Sequence, residues 1–200
     1  MEGIGRTLSH ARVLPAGHRG DTATTVRESG LALGGQLPPA DRGDFRALHF
    51  DYDPLLRFHA VLEPAPPPAA DTLPLELPNS GSSSLSFTRV GRLRLPFPDA
   101  DAHGQLSVFW MAGYAGGIFI PFRDATNGVT TYGAGRYLVD AAKGADLGAD
   151  PGPDAGTWAL ILDFNFATQP SCAFDPRWAC PLAPPENRLD LEIRAGERLT

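Results

Sequence analysis

The sequence predicts an all-β domain, a single antiparallel barrel or sandwich, and three observations carry that prediction. Glycine (22) and proline (20) are frequent in the 200 residues, which sets turns at short intervals and leaves little room for long helices. Apolar and polar residues alternate along several short runs, the period-two pattern of half-buried strands. The connections between these runs are of hairpin length, which favours antiparallel neighbours. A compact chain of this size buries roughly 70% of its unfolded surface, so one core is enough to hold it.

Residues 1–43 lack a sustained pattern and read as an irregular N-terminal arm, with room for a short helix around Thr22 to Ser29. The β-rich domain spans residues 44–200. In "LLRFHAVL" Leu56, Phe58, Ala60 and Leu62 alternate with Arg57, His59 and Val61, as in a strand with one face buried. "EPAPPPAAD" is a loop of polyproline character. "LPLEL" is a short strand, and "LSFTRV" and "RLRLPF" read as two strands joined at Gly91. "QLSVFWMA" and "GIFIPF" form a hairpin about a glycine-rich turn, and Asn127-Gly128 marks a further turn. "RYLVD" resumes a strand, "AAKGADLGADPGPDAG" is an exposed loop, and the apolar "TWALILDF" suits a central strand covered on both faces. Leu191 and Ile193 alternate with charges in "DLEIRAGE", the last strand-like run.

Composition excludes several classes. The net charge is −6, and Lys143 is the single lysine among 17 basic residues, so the basic face of a nucleic-acid binder is not expected. The longest apolar stretch, residues 106–120, is shorter than the roughly 20 residues that span a membrane. The first twenty residues lack the apolar run of a secretory signal, so a cytoplasmic protein without a membrane partner is expected. None of the Walker, G-x-S-x-G or H-E-x-x-H patterns occurs, and no cofactor is called for.

Two stretches carry the candidate chemistry. In "TYGAGRYL", Gly133 and Gly135 allow backbone to approach a ligand or a neighbouring strand closely, and Arg136 presents a planar fork suited to carboxylate or phosphate. Tyr132, the two glycines and Arg136 could line an anion pocket; alternatively the glycines sit at a bulge and Arg136 pairs internally with a carboxylate such as Asp163. Asp163 and Asn165 end the apolar strand, where a carboxylate needs a partner and acts as a general base, a salt-bridge member or a cap. Cys172 and Cys180 lack the further ligands of a zinc site at any finger-like spacing. A disulfide between them would stabilise by about 2.5 kcal/mol, but in a reducing cytoplasm free buried thiols are the expected state.

The blocks "FIPFRDATNGVTTYGAGRYL" and "LDFNFATQPSCAFDPRWACPLAPPENRL", with "IRAGE" after them, closely resemble the bacterial and archaeal family called domain of unknown function 1684. The resemblance runs from about Phe45 to the C-terminus. It marks Phe122, Asp124, Thr126, Gly128, Thr131, Tyr132, Gly133, Gly135, Arg136 and Tyr137 in the first block. In the second it marks Asp163, Phe164, Asn165, Pro170, Cys172, Ala173, Cys180, Pro181, Pro184, Asn187 and Arg188. Thr168-Gln169 stands where the family usually has Tyr-Asn before the proline. The resemblance implies two signature motifs and no substrate.

The two blocks are expected to meet, with the proline-rich segment from Cys172 to Arg188 folded over one end of the sheet as a stiff cover. Tyr132, Gly133, Gly135, Arg136, Asp163, Asn165 and Asn187 are the residues read as a site. Three functions follow: a domain that binds a small anionic molecule, a hydrolase using Asp163 as base and Arg136 as electrostatic stabiliser, or a scaffold in which Arg136 pairs with Asp163.

Overall fold

The structure, a computed structural model, describes residues 47–65, 72–73, 86–97, 104–112, 117–140, 147–155, 157–176, 178 and 180–199. The expected arm over residues 1–43, with its short helix, lies outside the described residues, as does the glycine turn at 113–116.

The fold is all-β, as the alternation predicts. Among the described residues there are ten strands: β1 (Leu48–His49), β2 (Arg57–Pro64), β3 (Thr72–Leu73), β4 (Ser86–Arg94), β5 (Gln105–Ala112), β6 (Gly117–Phe122), β7 (Arg136–Asp140), β8 (Ala149–Pro151), β9 (Trp158–Asp163) and β10 (Glu197–Arg198). The main sheet runs β7-β6-β5-β4-β2-β9-β8, with β3 on β4, and every pair in it is antiparallel. β1 and β10 form a separate two-stranded ribbon. The sheet curls far enough that Tyr137 in β7 exchanges two 2.9 Å backbone hydrogen bonds with Thr168, just beyond β9. It is therefore a curled half-barrel, nearly closed between one edge strand and the chain that leaves β9.

Alternation decides which side chains fill it. Leu93, Leu106, Val108, Ile120, Phe122, Leu138 and Leu162 point inward and are buried, joined by Phe164, Leu189 and Ile193 from the chain after β9. The opposite face of β4 to β7 carries a second cluster of Phe87, Phe109, Met111, Phe119 and Tyr137. β5 is thus buried on both faces, and its run "LSVFWM" is apolar almost throughout for that reason.

Several expectations change in detail. "LSFTRV" and "RLRLPF" form one strand, because the sheet absorbs Gly91 as a register shift between Arg89 and Gly91. A Cβ at Gly91 would lie 2.5 Å from the carbonyl oxygen of Glu63, so only glycine permits the close crossing of β2 and β4. The exposed loop at 141–156 contains the edge strand β8, which pairs with Trp158 to Leu160. "DLEIRAGE" is not a strand before Glu197. Ile193 and Ala195 give their carbonyl oxygens to the Arg136 side chain rather than to a neighbouring strand.

The described residues of the expected cover, from Cys172 to Arg188, are irregular, built around the 3-10 turns Ser171–Ala173 and Pro185–Asn187. The chain is tied to the sheet before this cover, within it and at its end. Thr168 pairs with Tyr137, the Tyr137 hydroxyl donates to the Pro181 carbonyl at 2.8 Å, and Arg123 exchanges backbone bonds with Asn187 and Leu189.

Candidate functional site

The strongest polar feature of the interior is Arg136, fully buried at the start of β7. Its guanidinium donates to the carbonyls of Ile193 at 2.7 Å, Ala195 and Glu197, and pairs with Asp124 at 3.3 Å. Asp124, also buried, accepts from the Thr126 hydroxyl at 2.7 Å and the Ile193 N–H at 2.8 Å. Burial pushes the guanidinium below its usual range, and the Asp124 carboxylate opposes that shift. Gly135 stands before it at φ +107°, where a Cβ would meet the Phe122 carbonyl at 2.5 Å. The glycine sets the backbone so that the arginine turns inward.

The internal partner of Arg136 is therefore Asp124, and the expected pairing with Asp163 is corrected. Asp163 has its own partners. Its buried carboxylate accepts from Arg57 at 3.2 Å across the β2–β9 register, and from the N–H and side chain of Asn165 at 3.0 and 2.8 Å. It caps the 3-10 turn Phe164–Phe166. Asn165 completes a two-way clasp with the backbone of Asp53, accepting and donating at 2.8 Å. These two residues fasten the end of β9 to the chain entering β2.

Tyr132 and Gly133 occupy the β6–β7 loop. The Tyr132 N–H donates to Gln169 at 2.8 Å, and the Gly133 carbonyl accepts from Arg123 at 2.9 Å. The tyrosine hydroxyl meets Cys172, and burial first, then that contact, raises its pKa. The structure thus divides the seven predicted residues: Arg136 and Gly135 inside the fold, Asp163 and Asn165 at the end of β9, Tyr132 against Cys172 with Gly133 in the same loop, and Asn187 in the cover itself.

Asn187 leads to an open space. Its side chain accepts from the Ser107 N–H at 2.7 Å and donates to the carbonyls of Ser107 at 3.0 Å and Pro121 at 2.7 Å. This amide bridges β5 and β6 just beyond Phe109–Phe119, where their direct pairing ends. Around it the outer face of β4 and β5 and the 185–190 segment enclose a cleft of about 410 Å³, lined by Arg92, Gln105, Ser107, Pro185, Glu186, Arg188 and Asp190. Arg92 lies opposite Ser107 in the β4–β5 register. Glu186 pairs with Arg89, and Arg188 with Asp190 at 3.3 Å. Arg92 is exposed and has no ion pair among the described residues, and it lines the cleft beside Glu186 and Asp190, which are paired with other arginines. No group of three or more metal-ligating side chains gathers among the described residues. No described helix is long and apolar enough to cross a membrane.

A family model described as "Protein of unknown function (DUF1684)" matches residues 44–198. The chain belongs to the DUF1684 family. A structurally similar protein is an uncharacterised protein of Haloarcula marismortui, solved by NMR in solution. It is 28% identical with a TM-score of 0.59, over 88% of this chain and 91% of that one. No curated protein matches the chain.

Within this DUF1684 domain, residue-by-residue reading passed over the partner of Arg136 and the arginine of the cleft. Asp124 did leave a signal: Asp-Ala-Thr is a short turn in which the carboxylate meets the Thr126 N–H two residues on. Arg92 left none, since an arginine alternating with leucines on a strand reads as a solvated face, and it is exposed; only the nearby 185–190 segment makes it part of a cleft.

Proposed function

We propose that the protein binds a small molecule bearing an anionic group, in the cleft between β4, β5 and the Pro185–Asp190 segment. The observation that carries this reading is Arg92, an arginine without a carboxylate partner among the described residues, lining a cleft of ligand size. A carboxylate or phosphate would take the fork of Arg92 through two parallel hydrogen bonds. Arg188 would approach from the opposite rim, and Gln105 and Ser107 would supply neutral donors at the floor.

The signature residues serve this site at one remove. Arg136, Asp124 and Asn187 act as scaffold, fixing the 185–197 chain to the sheet so that the rim of the cleft keeps its place. That division explains why the residues most suggestive of chemistry are the most deeply buried. Thermal-shift titration with inorganic phosphate, citrate and a panel of mono- and dicarboxylates tests the reading. Binding raises the melting temperature by mass action, and Arg92→Ala abolishes the shift while melting at the wild-type temperature without ligand. A flat response to every anion, or a shift that survives Arg92→Ala, would sink the proposal.

A further inference from the structure

Cys172 and Cys180 are the two cysteines of the sequence, and the cleft uses neither. Cys172 is partly exposed within the turn Ser171–Ala173, whereas Cys180 is buried. The Cys172 N–H donates to the Cys180 sulfur at 3.2 Å. The two thiols also contact each other through a hydrogen bond, with the Tyr132 hydroxyl against Cys172. Pro170, Pro176 and Pro181 lie within and around the loop that joins them, so their approach is set by stiff backbone. The Pro181 carbonyl is held by the Tyr137 hydroxyl, which anchors the Cys180 end on the sheet.

We propose that Cys172 and Cys180 form an oxidation site, closed to an intramolecular disulfide by exchange with a low-molecular-weight disulfide such as oxidised glutathione. The Cys172 thiolate attacks one glutathione sulfur, breaking that S–S bond and releasing the first glutathione thiol. The Cys180 thiolate then attacks the Cys172 sulfur, forming the protein disulfide and releasing the second. Two protein thiols are oxidised by two electrons, one glutathione disulfide is reduced to two thiols, and the protons pass to solvent and the leaving thiolates.

The order follows from access: solvent reaches Cys172, and Cys180 stands behind it as the resolving thiol. The hydrogen bond to Cys180, which favours the protonated thiol, then burial, raises the Cys172 pKa. Thiolate is therefore scarce at neutral pH, and exchange is slow there and faster in alkali. A thiol that ionises reluctantly is also a poor leaving group, so the bond once made resists reduction. This is the behaviour of a bond that locks the cover, not of a rapid peroxide sensor.

The test treats the reduced full-length chain with oxidised glutathione at about pH 9, where the thiolate fraction is about a hundredfold larger than at neutral pH, and follows intact mass, alkylatable thiols and melting. The wild type should lose both reactive thiols, become two hydrogens lighter without a glutathione adduct, remain unlinked to other chains, and melt about 5 °C higher. Cys180→Ser should trap glutathione on Cys172 under the same treatment. Retention of both thiols, a stable glutathione adduct on the wild type, or linkage only between chains would overturn the proposal. These wild-type readouts decide even if the variant does not fold.

Discussion

Arg136 has a carboxylate and three carbonyls around its guanidinium and the Phe122 ring 5.1 Å away, all out of contact with water. Removing one member of such a pair leaves the other charged and unsolvated, a loss of roughly 3–5 kcal/mol. Arg136→Ala and Asp124→Ala are each expected to lower stability by about that amount in urea or thermal unfolding. The double variant should cost less than the sum of the two, because they share one interaction. Asn187 has a smaller stake: Asn187→Ala strands the Ser107 N–H and two carbonyls, a loss of about 1–3 kcal/mol, read by the same unfolding curves. At this scale the sequence was half legible. It singled out Arg136 and Asn187 as unusual and named an internal carboxylate as one fate for the arginine. It could not name Asp124, because strand order decides which acid reaches the fork, and strand order is not a local property.

Element by element, strands bounded by clear turn signals were read to the residue: β5 as Gln105–Ala112, β6 as Gly117–Phe122 and β7 as Arg136–Asp140. The misreadings fall where tertiary contact overrides local pattern. Gly91 reads as a break, yet it is the point at which β2 needs β4 to have no side chain. "DLEIRAGE" alternates like a strand, yet buried arginine donors take its carbonyls. The cover contributes a pH dependence. Below an ordinary thiol pKa of 9.0 Cys172 is neutral in both folded and unfolded chains, and its partner thiol and burial raise the folded value well above that. The folded state then holds the proton that the unfolded state has lost, so stability should be level below about pH 9 and fall as pH rises further. Tyr132 shifts in the same direction and steepens the fall. Melting temperatures of the reduced protein across that range check the prediction. Cys172→Ala should flatten the alkaline limb, and an unchanged limb would show that the thiol contact is not its source.

Across the whole molecule, closure of the half-barrel explains the two signature blocks together. β7 begins at Arg136, the sheet curls until Tyr137 meets Thr168, and the chain returns past Asn187 to bring Ile193 and Ala195 onto the guanidinium. An all-β class was legible because periodicity and turn composition are local. The cleft was not, because it exists only where residues 185–190 lie against β4 and β5, some eighty residues earlier. Under the proposed function, holding the fold and meeting a ligand belong to different arginines. The most direct test is one set of thermal scans on wild type, Arg92→Ala and Arg136→Ala, each with and without the anion that shifts the wild type most. Arg92→Ala should melt like the wild type and ignore the anion, while Arg136→Ala should melt far lower or fail to fold. An Arg136→Ala protein that melts normally and has lost the anion response would contradict the account and return the site to the first signature block.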